Sequence, residues 1–153
     1  ELDLKSKDSV VDEIAFEITQ KDYDLNGLHV LVVEDNKINQ VITKKMLNKR
    51  GISCEIAGNG NTAVEMANTS QYDGILMDIH MPGISGVEAT IQIRKFDTDT
   101  PIIALTAISL DDSLESFYAA GCNDVVTKPF KPEVFYQKIG ENILEHKLKK
   151  SVT

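Results

Sequence analysis

From residue 28 onward, apolar runs and helical stripes alternate along the chain. LHVLVV at 28–33 is a continuous run of β-formers, the pattern of a strand covered on both faces. In INQVITKKMLNKR, residues 38–50, Ile38, Val41, Ile42 and Met46 recur at helical spacing, and the run stops at Gly51, a residue suited to ending a helix. ISCEIA at 52–57 alternates as a strand does, and Asn59-Gly60 marks a turn. The pattern then predicts a helix over 61–69, a buried strand over 72–78, a helix over 84–96 and a buried strand over 101–107. A helix over 111–120 is closed by Gly121, a short strand over 124–130 ends in Lys128-Pro129, and a long helix over 132–148 opens with Pro132.

Five strands alternating with five helices imply an α/β fold, a doubly wound parallel sheet with right-handed crossovers and helices on both faces. A barrel of eight such units needs roughly 250 residues, and this chain has 153. In an open sheet of this kind the ligand site lies beyond the carboxyl ends of the strands, where the winding reverses.

Charge divides the chain. Residues 1–26 hold eight acids and three bases and show little apolar periodicity apart from VVDEIAFEI at 10–18, which fits either a strand or one or two helical turns. The segment ends in Asn26-Gly27, so 1–26 is expected to be a linker or the remnant of a preceding domain, with 27–148 the domain itself and 149–153 a tail. The net charge of −8 makes nucleic acid and anionic membrane poor partners. No run reaches the roughly 18 apolar residues of a membrane span. Cys54 and Cys122 supply neither a disulfide framework nor a zinc site, and both are expected to be reduced and packed.

The polar residues at the strand ends carry the chemistry. The first strand ends in Glu34-Asp35, the third in Asp78, the fourth in Thr106 and the fifth in Lys128, so all five converge on one crevice. Asp35 alone reads equally well as a helix N-cap. Three carboxylates about 5 Å apart repel by about 3 kcal/mol per pair at an effective dielectric near 20, which calls for a cation. Oxygen donors without His or Cys select a hard divalent ion, Mg²⁺ above all, or Mn²⁺. A lysine and a hydroxyl aimed at the same point suit a phosphoryl group, and one carboxylate is left free to act as nucleophile.

LHVLVVEDNKINQ, YDGILMDIHMPGISG, PIIALTA and GCNDVVTKPF together resemble the receiver domain of two-component response regulators, over about residues 28–147. The resemblance implies a flavodoxin-like sheet of order 2-1-3-4-5. It implies Asp78 as phosphoacceptor and Asp35 as direct Mg²⁺ ligand, with Glu34 acting through a metal-bound water and the His80 backbone carbonyl completing the protein ligands. It further implies that Thr106, the Ala107 backbone N–H and Lys128 contact the phosphoryl group, and that Pro129 follows a cis bond. The phosphoryl group would come from a phosphohistidine on a histidine kinase core or a histidine phosphotransfer protein, and then pass on or be hydrolysed. Ile38, Asn39, Ile42, Pro129 and Phe130 are the expected docking residues for that partner, with packing on the sheet the competing reading for Ile42. VVEDNKINQ and ILMDIHMPGISGVEAT look most like receivers fused to the C-terminus of hybrid sensor histidine kinases. A stand-alone regulator, an aspartyl-phosphate hydrolase of haloacid dehalogenase type and a docking module without phosphorylation are the alternatives. The hydrolase pattern places a second Asp two residues after the nucleophile, where this chain has His80. The expected setting is cytoplasmic, as a monomer or weak dimer, and leaves room for a membrane-anchored parent. Whether this segment counts as an enzyme is left open by the resemblance.

One position departs from the family pattern: many receivers carry an aromatic three residues before the lysine, and here that residue is Val125. A coupled threonine–aromatic switch is therefore not expected. Phe117, Tyr118, Phe135 and Tyr136 divide between core packing and a partner surface, and His29 and His146 are expected on the surface.

Overall fold

The computed structural model describes residues 22–107 and 114–152. The 10–18 stretch and the first three positions of the helix expected at 111–120 lie outside them. The described elements are β1 (His29–Val33), α1 (Lys37–Lys49), β2 (Ser53–Ala57), α2 (Gly60–Thr69), β3 (Gly74–Asp78), α3 (Gly86–Arg94), β4 (Ile102–Thr106), α4 (Leu114–Ala120), β5 (Asp124–Thr127) and α5 (Pro132–Ile139). After α5 the helix runs through a π turn, Gly140–Leu144, into α6 (Glu145–Val152). Every pairing is parallel and the order is β2-β1-β3-β4-β5. This is the doubly wound sheet expected from the alternation, in the flavodoxin-like order that the resemblance implied. Winding reverses between β1 and β3, which are hydrogen-bonded neighbours.

Alternation along the strands separates two cores, because successive side chains point to opposite faces. Val30, Val32, Leu76, Ile103 and Leu105 meet Leu47, Phe135, Ile139 and Ile143 on one face. Leu31, Val33, Ile75, Met77, Ile102 and Ala104 meet Ala63, Ala89, Ile93 and Phe117 on the other. The strands β3 and β4 are buried throughout, which is why they read as unbroken apolar runs.

Several expectations change with packing. The competing reading of Ile42 as packed on the sheet does not hold: Ile38, Val41 and Ile42 are 70%, 52% and 51% exposed, and α1 buries Thr43 and Leu47. Asn36 rather than Asp35 caps α1, its side chain accepting from the Asn39 N–H at 3.0 Å. The last strand stops at Thr127, short of residue 130. Phe117, Phe135 and Tyr136 belong to the core, and only Tyr118 of that group is exposed. His29 and His146 are half-buried rather than free on the surface, held by Glu55 at 3.0 Å and Asp99 at 3.2 Å respectively. Cys122 is buried and Cys54 half-buried, and both are free.

The core also reaches back past Gly27. Leu25 is buried in the first cluster, a contribution of about 1.5–3 kcal/mol for a fully buried leucine. Tyr23 lies over Gly140 at the π turn, where any Cβ would collide with its ring, and donates its hydroxyl to Glu145 Oε2 at 3.1 Å. At the other end, the expected tail continues as helix to Val152. No helix among the described residues is long and apolar enough to cross a membrane.

Candidate phosphoacceptor site

The carboxyl ends of β1 and β3 stand side by side at the reversal point, so the residues that leave them share a crevice. Glu34 leaves β1 almost wholly buried, its N–H donating to Ala57 O at 3.0 Å. Gln40 Nε2 donates to Glu34 O at 2.7 Å, and Glu34 Oε1 accepts from the Asn36 N–H at 3.2 Å. Asp35, the next residue, is exposed at the mouth. Asp78 ends β3 with 4% of its surface exposed. Carboxylate oxygens of Glu34, Asp35 and Asp78 lie within 4.8 Å of one another.

Lys128 reaches in from the end of β5. Its ammonium stands 3.0 Å from Glu34 Oε2 and 3.6 Å from Asp78 Oδ1. The Lys128 N–H donates to Thr106 O at 2.7 Å, which ties the lysine loop to the end of β4. The Lys128-Pro129 bond is cis, as the resemblance implied. Thr106 is buried, and its hydroxyl lies 3.4 Å from Nε2 of the exposed His80 ring. The His80 N–H donates to Asp78 Oδ1 at 3.2 Å.

Burial pushes the Asp78 carboxyl up to about 6; the Glu34 charge adds to the rise, while the Lys128 ammonium and the His80 N–H oppose it. Formally, three carboxylates face one ammonium, which leaves two negative charges uncompensated. The donor set is all oxygen, partly buried and partly open to water, so it fits a hard divalent cation and has no soft ligand to favour zinc or copper.

Four of the five expected docking residues come together beside this crevice. Asn39, Ile42, Pro129 and Phe130 line an open groove of about 380 Å³ together with Thr43, Met46 and Ala107, and Glu34 and Lys128 form its inner wall. Ile38 is not in the groove lining; it stands one turn nearer the start of α1, exposed.

Two supporting residues escaped sequence reasoning. Gln40 looks like any polar helix residue, and its tie to the Glu34 carbonyl exists only in the folded chain. Gly86 opens α3, where an added Cβ would collide with the Asp78 carbonyl oxygen and approach Ile79 Cα to 2.8 Å. The signal for it was the Pro82-Gly83-Ile84-Ser85-Gly86 run, legible as a loop but not as a close approach to β3.

A five-stranded flavodoxin-like sheet with an acidic triad, a hydroxyl and a lysine at its reversal point defines a phosphoacceptor domain. The model of the response regulator receiver domain matches residues 30–140, and the chain belongs to that family, the receivers of two-component phosphorelays. It is 41% identical over 126 residues to hybrid signal transduction histidine kinase I of Dictyostelium discoideum, covering 76% of this chain and 7% of that protein. It is 38% identical over 119 residues to the transcription factor SKN7 of Candida albicans, covering 78% of this chain and 21% of that protein. The chain thus spans less than a quarter of the length of these curated relatives. Among solved structures, the receiver domain of a Pseudomonas aeruginosa sensor histidine kinase, described with a magnesium ion coordinated in its active-site cleft, is 38% identical with a TM-score of 0.72, over 76% of this chain and 98% of that one.

Proposed function

We propose that Asp78 accepts a phosphoryl group from a phosphohistidine, in a site completed by Mg²⁺. The observation that carries this reading is the buried Asp78 carboxylate, with Glu34, Asp35 and Lys128 around it. Asp35, Asp78 and the His80 backbone carbonyl would hold the ion directly, with Glu34 acting through a bound water; Mn²⁺ satisfies the same donors. Once bound, the ion supplies positive charge to the phosphoryl oxygens and to the crowded carboxylates.

The chain's own residues do the rest. An Asp78 carboxylate oxygen attacks phosphorus in line, forming an O–P bond. The P–N bond to the donor imidazole breaks, and its electron pair returns to the ring nitrogen, which takes a proton from solvent. Lys128, already 3.6 Å from Asp78, pairs with the incoming charge. The Thr106 hydroxyl and the Ala107 backbone N–H donate to the phosphoryl oxygens. A reverse transfer to a second histidine, or attack by water, empties the site again.

The groove of Asn39, Ile42, Pro129 and Phe130, with Ile38 above it, gives a histidine kinase core or histidine phosphotransfer protein an apolar centre with a polar rim. The likeness to a hybrid histidine kinase favours a receiver fused to such a kinase, working on the cytoplasmic side, over a stand-alone regulator. The transcription-factor relative keeps a different parent in view. The test is phosphoryl labelling read by intact mass. With acetyl phosphate and Mg²⁺ the chain should gain one phosphoryl group, and Asp78→Asn should gain none while keeping its fold by circular dichroism. Equal labelling of the variant overturns the assignment.

A further inference from the structure

The last helix changes its winding between α5 and α6. Gly140–Leu144 form a π turn, and the Glu145 N–H donates to Gly140 O, five residues back rather than four. Such a turn holds one residue more than an α-helix and is rare, so its place in a helix calls for a cause. Tyr23 touches both of its ends. The ring lies over Gly140, where a Cβ would collide with it, and the hydroxyl donates to Glu145 Oε2 at 3.1 Å. Tyr23 is held there by the residues that follow it. Leu25 is buried in the first core, the Leu28 N–H donates to Leu25 O at 3.3 Å, and the Gly27 N–H donates to Gly51 O at 2.9 Å. Residues 22–27 thus form a strap from the end of α1 to the π turn.

The extra residue decides which face α6 shows. Without it, the helix beyond would be turned by about 100° and shifted by about 1.5 Å. α6 meets the loops at the amino end of the sheet through one face only. His146 Nε2 and Lys150 Nζ stand 3.2 and 2.7 Å from the two Asp99 carboxylate oxygens, and Lys147 Nζ stands 3.2 Å from Asp73 Oδ2. His146 and Lys150, four apart, share a helix face. Closing the π turn to α would carry each residue to its successor's place, so that Glu145 rather than His146 would face Asp99. Two carboxylates would then meet where a contact with His146 now stands, and the docking of α6 would be lost.

We propose that Tyr23 is a clamp on the π turn, and that through it the strap sets the register in which α6 docks. The chain that enters at residue 22 and the helix that runs out through α6 are thereby coupled directly, away from Asp78 at the carboxyl end of the sheet. Lifting Tyr23 from Gly140 lets the helix close to α and releases α6 from Asp73 and Asp99.

The test compares the parent chain with Tyr23→Ala and with Glu141 deleted, alone and together. Loss of the ring itself alters shifts close by, so NMR amide shifts are read at Asp73, Asp99 and Lys150, and in Tyr23→Ala these should move. Deleting the exposed Glu141 removes the extra residue, so the helix runs on as α with α6 still in register. The three amides should then keep their parent positions, and adding Tyr23→Ala to the deletion should no longer move them. Amides unmoved in Tyr23→Ala overturn the proposal. So do amides that move equally with and without Glu141, since Tyr23 would then reach α6 by another route than the π turn. Should Tyr23→Ala not fold, Tyr23→Phe, which loses only the tie to Glu145, is read by the same criteria. Acetyl phosphate labelling of the Tyr23 variant should match the parent; a fall would make Tyr23 a support of the whole fold and overturn the clamp.

Discussion

At the carboxyl end of the sheet three carboxylates share one ammonium; at the amino end each buried or bridging carboxylate has its own donors. Asp97 accepts from the Asp99 and Thr100 N–H groups at 2.9 and 3.0 Å and from the Thr100 hydroxyl at 2.6 Å. Burial works to raise its pKa, and these donors outweigh it, so it ends lower than an ordinary aspartate. Asp99 is held low by Lys150 at 2.7 Å and by His146. Asp73 takes Lys147 at 3.2 Å and the His29 N–H at 2.8 Å. Asp78, at the opposite end, is pushed up to about 6 by burial. The same residue type is thus satisfied where it anchors loops and α6, and left short of positive charge where we propose that a cation and a phosphoryl group bind. Charge deficit rather than acidity marks the working end.

The strongest way to break the contrast is steric. Gly86→Ala places a Cβ against the Asp78 carbonyl oxygen and Ile79 Cα, both backbone, which have little room to give. It should cost about 1–3 kcal/mol, as overpacking does, and displace Asp78 so that acetyl phosphate labelling falls sharply. Urea denaturation alongside mass labelling checks both; a variant with parent-like stability and labelling would show that β3 yields at no cost.

Adding the missing charge sharpens it. Mg²⁺ should stabilise the chain, by about 2.7 kcal/mol at a hundred times its dissociation constant. Asp35→Asn should weaken that gain more than Glu34→Gln, since Glu34 is already engaged by Lys128 and the Asn36 N–H. Thermal melts across a Mg²⁺ series read this directly, and the reverse order would exchange the two roles. No comparable gain is expected from the amino-end acids, so Asp99→Asn should leave the Mg²⁺ response as it is.

The smallest effect is at Asp124, which opens β5 at the satisfied end. Burial works to raise its carboxyl, and Asn142, Lys138 and the Val125 N–H outweigh that, so its pKa is lowered. A lowered folded value means that the unfolded chain takes up the proton first as pH falls. The stabilisation is then complete above the ordinary aspartate range near 4 and is lost on descending through the folded value. Asp124→Asn should therefore cost about 0.5–1 kcal/mol at neutral pH, after allowing for screening at this half-exposed site. The difference from the parent should shrink toward zero in strong acid, as urea midpoints at several pH values would show. A difference that grew with acidity would contradict the sign.

Much of the site was legible in one dimension because its residues mark strand ends, and parallel strands bring their carboxyl ends to one edge. Glu34 follows, and Asp78 and Thr106 close, runs that are apolar because both faces of the sheet are covered, and Lys128 follows the half-buried edge strand β5. The first helix was legible only in part. Periodicity shows that Ile38, Val41 and Ile42 share a face, but nothing in it says whether that face meets the sheet or water. Thr43 and Leu47 took the core side, and the helix starts from the Asn36 cap. Likewise Leu25 and Tyr23 sat in an acidic, aperiodic stretch, and only the glycine gap at 140 and the hydrophobic pocket under α5 show why they are packed.

The sequence by itself determined the alternation of strands and helices, the five residues at the strand ends and their family, since these depend on local spacing and side-chain type. Tertiary structure alone decided that Lys128 rests on Glu34 while also facing Asp78, that Gln40 and Gly86 hold the floor of the crevice, and that the apolar stripe of α1 stays exposed. These are matters of distance and burial between residues remote along the chain, and they come into being only when the sheet closes and sets which groups lose water together.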